Sequence, residues 1–350
     1  MKTEQVICLL AVLATACGPS PAPVAQRSPV TSASPYAIST TPTPSASAVT
    51  SPKSSPRPTA TTLKCHLPIT ASASAGDPPG GWITFPGGTF VRDKGSLRFH
   101  SPAHLPSYDR AIGAWVPVEY GNVSPSGLSY VLYRDWTTAV PNALYVVDAR
   151  TGKRRLMSSA QTPDIPWQVV LDYASEGIYL AAPGYGMAPP VKGLWLLDPN
   201  TGSIRLIDRS HAWSAMAGGA AWVFETPSIG VGRHQVYRLD LRTKNVSAWY
   251  ETKTELRLIS PTPQGGLLFS YGDVSSSKVG VLTGPNAFSP LKVPPGFKPY
   301  HGISARPGVW IALTDGIALY VKGQGVRVMA HNSGTFPIGA WFMDPAGGCW

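Results

Sequence analysis

Charge is scarce in this chain: Asp, Glu, Lys and Arg make up only 14% of its 350 residues, while Gly (35) and Pro (36) are plentiful. That balance fits many short strands joined by turns, and it argues against long helices. No long segment carries the 3.6-residue apolar period of an amphipathic helix. Active-site signatures are missing as well, with no GxSxG element, phosphate loop, dinucleotide fingerprint or HExxH, so no enzyme class is indicated by motif. The net charge of +10 invites a nucleic-acid reading, but Lys and Arg are scattered among turns without a dense basic run. Nucleic acid is therefore not an expected partner, and diffuse positive charge suits anionic cell-surface polymers or lipid headgroups better. Cysteine is rare too, at four residues.

What is present is a repeat. The stretch LYVVDARTGKRRLM at 144 returns as LWLLDPNTGSIRLI at 194 and VYRLDLRTKNVSAW at 236, then more loosely at 279 and 318. Upstream of each lies a second recurring run: SPSGLSYVLY, ASEGIYLAA, AGGAAWVFE, PQGGLLFSY and ARPGVWIAL. Aligned on Gly127, Gly177, Gly219, Gly266 and Gly308, the steps are 50, 42, 47 and 42 residues. A period in the forties, built of short strands and turns, is the mark of four-stranded propeller blades. Asp148, Asp198 and Asp240 sit where a hairpin turn needs a side chain that can bond the backbone two residues on.

The N-terminus reads differently. The apolar run Val6–Ala14 falls short of the roughly 20 residues that span a bilayer and has the proportions of an export signal. The small residues before Cys17 resemble the lipobox of bacterial lipoproteins, which implies a signal peptide over 1–16 and a lipid on Cys17, against the alternative of an ordinary cleaved signal. Residues 17–62 are almost wholly Pro, Ser, Thr and Ala after that Cys, a composition expected to stay disordered as an extended tether. The folded domain is expected over 63–350. With Cys8 in the signal and Cys17 carrying lipid, Cys65 and Cys349 remain, and an exported protein with one pair left over is expected to join them in a disulfide. Two free thiols are the alternative.

Five complete units are expected near 113–157, 166–208, 212–250, 256–293 and 300–331. A sixth would be built from both termini, with an outer hairpin at Gly81–Asp93 and an inner half at Ile338–Met343 followed by Gly348-Cys349-Trp350. The fold class is thus all-β, a six-bladed propeller closed by N- and C-terminal strands, with His100 to Ile112 and the segment around Cys65 left unassigned and five or seven blades as alternatives. Trp115, Trp167, Trp195, Trp213, Trp222 and Trp310 fall in or at the start of expected strands and should pack the blades.

On these residues the chain resembles a known family. SPSGLSYVLY at 124–133 is similar to the SPDG-plus-strand element of the WD40-like repeats of TolB-type bacterial propellers, with Ser126 in the place of the usual Asp. LYVVDARTG and LWLLDPNTG look like the hairpin that follows it. The resemblance implies a propeller of an interaction type and carries over no catalytic residue.

Candidate sites follow from the loops. Those after the second strand of each unit, Arg134–Asn142, Pro183–Gly193, Glu225–Gln235 and Gly272–Lys278, offer Trp136, Tyr185, Met187, Arg233 and His234 for recognition. Counted from the aligned Gly, an acid ends that strand at Asp135, Glu225, Asp273 and Asp315, and four carboxylates at equivalent places in a ring could hold Ca²⁺ or attract a cation. The competing reading is turn chemistry. His100 and His104 stand four apart around Pro102, which argues for a loop pair. The functional expectation is a monomeric, non-enzymatic cell-surface lipoprotein that binds a protein, peptide or cell-wall glycan. The alternative is an extracytoplasmic hydrolase or lyase with a metal-assisted acidic site.

Overall fold

Antiparallel strands buried on both faces must be apolar throughout, and those at a sheet's outer edge need be apolar on one side only. Both patterns occur within each repeat. In the computed structural model the described residues are 63–71, 80–99, 105–133, 143–159, 169–182, 191–225, 233–272, 278–331 and 343–350. The chain begins with β1 (Cys65–Ala71), β2 (Gly80–Phe85) and β3 (Thr89–Arg92), then a short hairpin of β4 (Ser107–Asp109) and β5 (Ala114–Val116). A three-stranded sheet follows: β6 (Ser129–Tyr133), β7 (Ala143–Asp148) and β8 (Arg154–Ser159). Three four-stranded meanders come next in part: β9 (Val169–Ala174), β10 (Gly177–Ala182), β11 (Val191–Leu197) and β12 (Ile204–Asp208); then β13 (Ala215–Ala217), β14 (Ala220–Glu225), β15 (His234–Asp240) and β16 (Val246–Thr252). The third is β17 (Leu256–Pro261), β18 (Leu267–Tyr271), β19 (Lys278–Leu282) and β20 (Phe288–Leu291). A further meander, β21 (Pro299–Ala305), β22 (Gly308–Leu313), β23 (Gly316–Val321) and β24 (Gly325–His331), precedes the last strand, β25 (Met343–Pro345).

The result is an all-β six-bladed propeller. Every residue of the second strands β10 and β22 is buried, while the outer strand β16 is mostly exposed. The apolar clusters lie between neighbouring blades: Ile178 and Leu180 pack with Val131 and Leu144, Phe269 with Trp222, and Trp310 with Ile69 and Ile83. Trp213, Trp222 and Trp310 are wholly buried, and Trp115 and Trp195 nearly so, as packing residues should be. Trp167 lies outside the described residues. Sheets facing each other across such apolar layers are what holds a propeller ring together.

Two details correct the expected blade plan. The closing sheet has the order β25-β1-β2-β3, so the C-terminal part supplies one inner strand and the N-terminal part the other three. The second-strand place expected for Gly348-Cys349-Trp350 belongs to β1, the segment around Cys65 that the repeat left unassigned. Trp350 instead runs beside His66, each backbone N–H donating to the other's carbonyl at 3.2 and 2.7 Å. Cys65 and Cys349 form a disulfide next to this pair, with Cα atoms 5.5 Å apart. The unit expected at 113–157 also lacks a full inner strand. There, Val123 makes a single bridge to Tyr130, and the β4–β5 hairpin fills the gap between this sheet and the closing one. Trp115 and Tyr108 of that hairpin pack on Trp82, at ring-centroid distances of 5.7 and 4.4 Å.

The hairpin turns behave as their sequences require. Asp148 accepts hydrogen bonds from the backbone N–H groups of Arg150 and Thr151 and from the Thr151 hydroxyl, and Gly152 takes φ +70°. Asp198 and Gly202 repeat the arrangement. Asp240 repeats it again, but Lys244 holds the left-handed position at φ +62°. Among the described residues no helix is long and apolar enough to cross a membrane.

Candidate functional site

Six sheets around a ring leave a central channel, here a cavity of about 1300 Å³. Its wall comes from the inner strands β9, β13, β17, β21 and β25, from the β4–β5 hairpin and residues 119–121, and from the turn Ser124–Gly127 where the three-stranded sheet has no inner strand. That turn is shaped by the SPSG motif. The Gly127 N–H donates to the Ser124 carbonyl at 2.9 Å, the Ser124 hydroxyl accepts from Ser129 N–H, and Ser126 accepts from Leu128 N–H in the role of an Asp. Gly127 has φ +69°, and a Cβ there would collide with Asp109 and Ala111, so only glycine fits.

The channel reverses the charge of the chain. Against a net charge of +10 overall, its wall holds Asp109, Glu119, Asp172 and Asp344 beside Arg110, Arg306 and His301. Burial in the wall, with a smaller push from the Glu176 carboxylate, raises the Asp172 pKa to about 6. Burial raises Asp109 also, against the opposing bonds from the Ala111 and Ile112 N–H groups. His301 and Asp344, on neighbouring inner strands, form an ion pair with Nδ1 and Oδ1 3.5 Å apart. Burial pulls the His301 pKa down, but the Asp344 carboxylate and the Glu119 charge outweigh it and hold the imidazole above its ordinary value. Its side chain is nevertheless 51% exposed and lines the cavity. Aromatic faces border the same space: Tyr120, Tyr300 and Trp350 are 38%, 60% and 40% exposed.

The residues expected from the loops lie elsewhere or beyond description. Trp136, Tyr185 and Met187 lie outside the described residues, as do Asp135, Asp273, His100, His104 and Cys17. Arg233 pairs with Glu251 at 2.6 Å on the exposed β15–β16 edge, and His234 opens β15 opposite Thr252; neither lines the channel. Glu225 bonds His211 Nδ1 at 2.7 Å, and that imidazole stacks on Tyr237. Asp315, in the β22–β23 turn, stands 3.8 Å from His331. These two acids thus have separate histidine partners, and among the described residues no group of three or more His, Cys, Asp or Glu could hold a metal.

No family model matches the chain, and no curated protein matches its sequence. Solved structures resemble it in architecture at low identity. A chain of a nidogen/laminin complex aligns over 80% of this chain and 98% of its own, at 9% identity and a TM-score of 0.44. The acylaminoacyl peptidase of Pyrococcus horikoshii aligns over 76% of this chain and 44% of its own, at 11% identity and a TM-score of 0.42. A gluconolactonase from Xanthomonas campestris aligns over 79% and 89%, at 13% identity and a TM-score of 0.39. None of these carries an argument about ligand or reaction.

The residues that sequence reasoning missed are the channel wall itself. For two of them the signal was a polar residue in the run before an aligned Gly, where Asp172 precedes Gly177 and His301 precedes Gly308, whereas the run Ala215–Ala217 before Gly219 carries none. That run marks the inner strand, whose channel-facing side chains meet their counterparts only once the ring is closed.

Proposed function

We propose that the protein is a non-enzymatic binding module, held at the outer face of a bacterial membrane by a lipid on Cys17 and a Pro-rich tether. It works as a monomer and takes a peptide, protein segment or cell-wall glycan at its central channel. One observation carries this reading: an aromatic- and carboxylate-lined cavity to which all six blades contribute. Concave cavities with convergent polar and aromatic groups are the usual places of recognition. Retention of full-length protein, purified in detergent, on immobilised cell-wall fragments and on a peptide library tests it. Wild-type protein is expected to be retained, and the folded Tyr300→Ala/Glu119→Gln variant to lose most of that retention. Equal retention of both, or none by either, would sink the reading. The anchor has its own test, since Cys17→Ser should move the protein from the membrane fraction to the soluble one.

A second reading is favoured by one feature. Asp172, with a pKa of about 6, and the His301–Asp344 pair place acid–base groups suited to neutral pH in one cavity. Hydrolysis or elimination on an oligosaccharide, lost in Asp172→Asn, would support it; inert substrates with retained binding would reject it.

A further inference from the structure

Antiparallel strand order sorts the connections of each blade onto two ends of the ring. Alternate turns of a meander share an end, so the turns joining first to second strands lie with those joining third to fourth. Neighbouring blades keep the same sense: a Cβ on Gly218 in the β13–β14 turn would lie 2.5 Å from Gly265 Cα in the β17–β18 turn. Cys65 belongs to this end too, paired with Phe85 beside the β2–β3 turn, so residues 1–62 join the domain here. Cations collect in the same place. The β7–β8 turn carries Arg150 and Lys153, the β15–β16 turn Arg242 and Lys244, and the β23–β24 turn Lys322, all exposed. None of these five is in a salt bridge among the described residues, while Asp148 and Asp240 of the same turns accept from backbone N–H groups. At the opposite end cations are matched, Arg233 by Glu251 at 2.6 Å and Arg257 by Glu255 at 2.7 Å.

We infer that this end of the propeller rests on an anionic lipid surface, with the turn cations meeting headgroup phosphates. The inference rests on the anchor reading given above, since a lipid on Cys17 would tie the membrane to the end at which Cys65 stands. Charge placement agrees. A pocket for one small anion needs its donors to converge, but these cations come from three alternate blades and span the end of the ring, a layout suited to an extended, flat partner. Leu128 and Trp350, 44% and 40% exposed, lie at the same end, and an exposed indole is at home in the headgroup layer. Docked in this way, the protein turns the opposite mouth of the channel, where Tyr300 and His301 begin β21, away from the membrane.

Flotation of the full-length Cys17→Ser chain with lipid vesicles tests the inference, because without the lipid any binding reports the protein's own surface. Vesicles of phosphatidylcholine alone are compared with vesicles of equal parts phosphatidylcholine and phosphatidylglycerol, and polyphosphate stands for a soluble polyanion. Binding to the mixed vesicles is expected, with little to phosphatidylcholine, and it should fall steeply as salt screens the charges. Arg150→Gln/Arg242→Gln/Lys322→Gln should weaken it about tenfold or more. Lys253→Gln/Lys292→Gln/Lys298→Gln removes the same charge from exposed positions at the opposite end and should leave it nearly unchanged. If the first triple variant does not fold, its three single variants decide, each expected to bind severalfold more weakly. Equal weakening by both triple variants, equal binding to both kinds of vesicle, capture of polyphosphate without vesicle binding, or no vesicle binding would overturn the inference. The anchor is read separately, from retention of wild-type protein in salt-washed membranes, where a screened surface contact no longer holds the Cys17→Ser chain. An anchored protein with an indifferent face and a lipid-binding face without an anchor therefore give different results.

Discussion

The closing blade and the β13–β16 blade share one strand order and differ in what holds them together. In β13–β16 each strand reaches the next along the chain, and β14 and β15 pair over six residues. In the closing blade β1 meets β25 at only three residue pairs, with no covalent connection along the sheet. Cohesion there comes from contacts between residues far apart in sequence: the Cys65–Cys349 disulfide, the His66–Trp350 backbone pair, and a cluster of Trp82, Tyr108, Trp115 and Trp350. Asp93 accepts from both the Trp82 and Trp115 indole N–H groups at 3.2 and 2.8 Å, and these bonds prevail over its burial to lower its pKa. The comparison teaches that a short seam is secured by side chains where an ordinary blade relies on turns.

The largest expected effect strikes the seam. The disulfide spans 284 residues, and its loss in Cys65→Ser/Cys349→Ser should remove about 5 kcal/mol, read as a fall in thermal midpoint. An unchanged midpoint would mean the strands and rings close the ring unaided. Next, Trp310, wholly buried and stacked on Phe85 at 5.6 Å, ties the β21–β24 blade to the closing one. Trp310→Ala should destabilise by about 4 kcal/mol in denaturant melts. A loss below about 1 kcal/mol would show that this layer collapses around the gap.

Inner strands give a third contrast. Asp172 in β9 has a folded pKa of about 6 against an ordinary 3.8. Between those values the folded chain keeps a proton that the unfolded chain has released, so this group's contribution is favourable at low pH and is lost as pH rises through about 6. Asp172→Asn should therefore stabilise the protein above that pH, by up to about 3 kcal/mol, and hardly at all at pH 4. A variant equally stabilised at both pH values would break the link to titration. Among the hairpins, Lys244→Gly should gain about 0.5–1 kcal/mol by relieving the left-handed residue, an effect that chemical denaturation resolves. The smallest effect is that of Asp240, whose pKa is lowered to about 2, chiefly by the Thr243 N–H. Its contribution is present above 3.8 and disappears as pH falls through about 2, so Asp240→Ala should melt below wild type at pH 7 and with it at the acid end of that window.

Much of the architecture was legible because it is local. The Asp-to-Gly turns, the apolar second strands and the spacing of the aligned glycines each depend on residues within a few positions of one another, and they settled the blade order. The cysteine pair was legible by elimination. The split of the closing blade was not, since β1 carries no aligned Gly and β25 is three residues long, too short for a periodic signal. Nor was the β4–β5 hairpin, which belongs to no repeat and is justified only by the gap it fills. The candidate site was the least legible part: the repeat register drew attention to acids at the far ends of second strands, whereas of the channel acids Asp172 and Asp344 sit in inner strands, Asp109 in the β4–β5 hairpin and Glu119 just after it.

By itself, then, the sequence determined the unit: a four-stranded sheet repeated at a period in the forties, with its turns and its apolar faces. Only the tertiary structure decided how the ring closes and what lines its channel. The physical reason is range. Hydrogen-bonded turns and alternating burial act over a handful of residues, but Asp109, Asp172, His301 and Asp344 share one cavity only because six sheets pack face to face, setting inner strands β9, β21 and β25 and the β4–β5 hairpin around a common axis although Asp172 and Asp344 lie 172 residues apart.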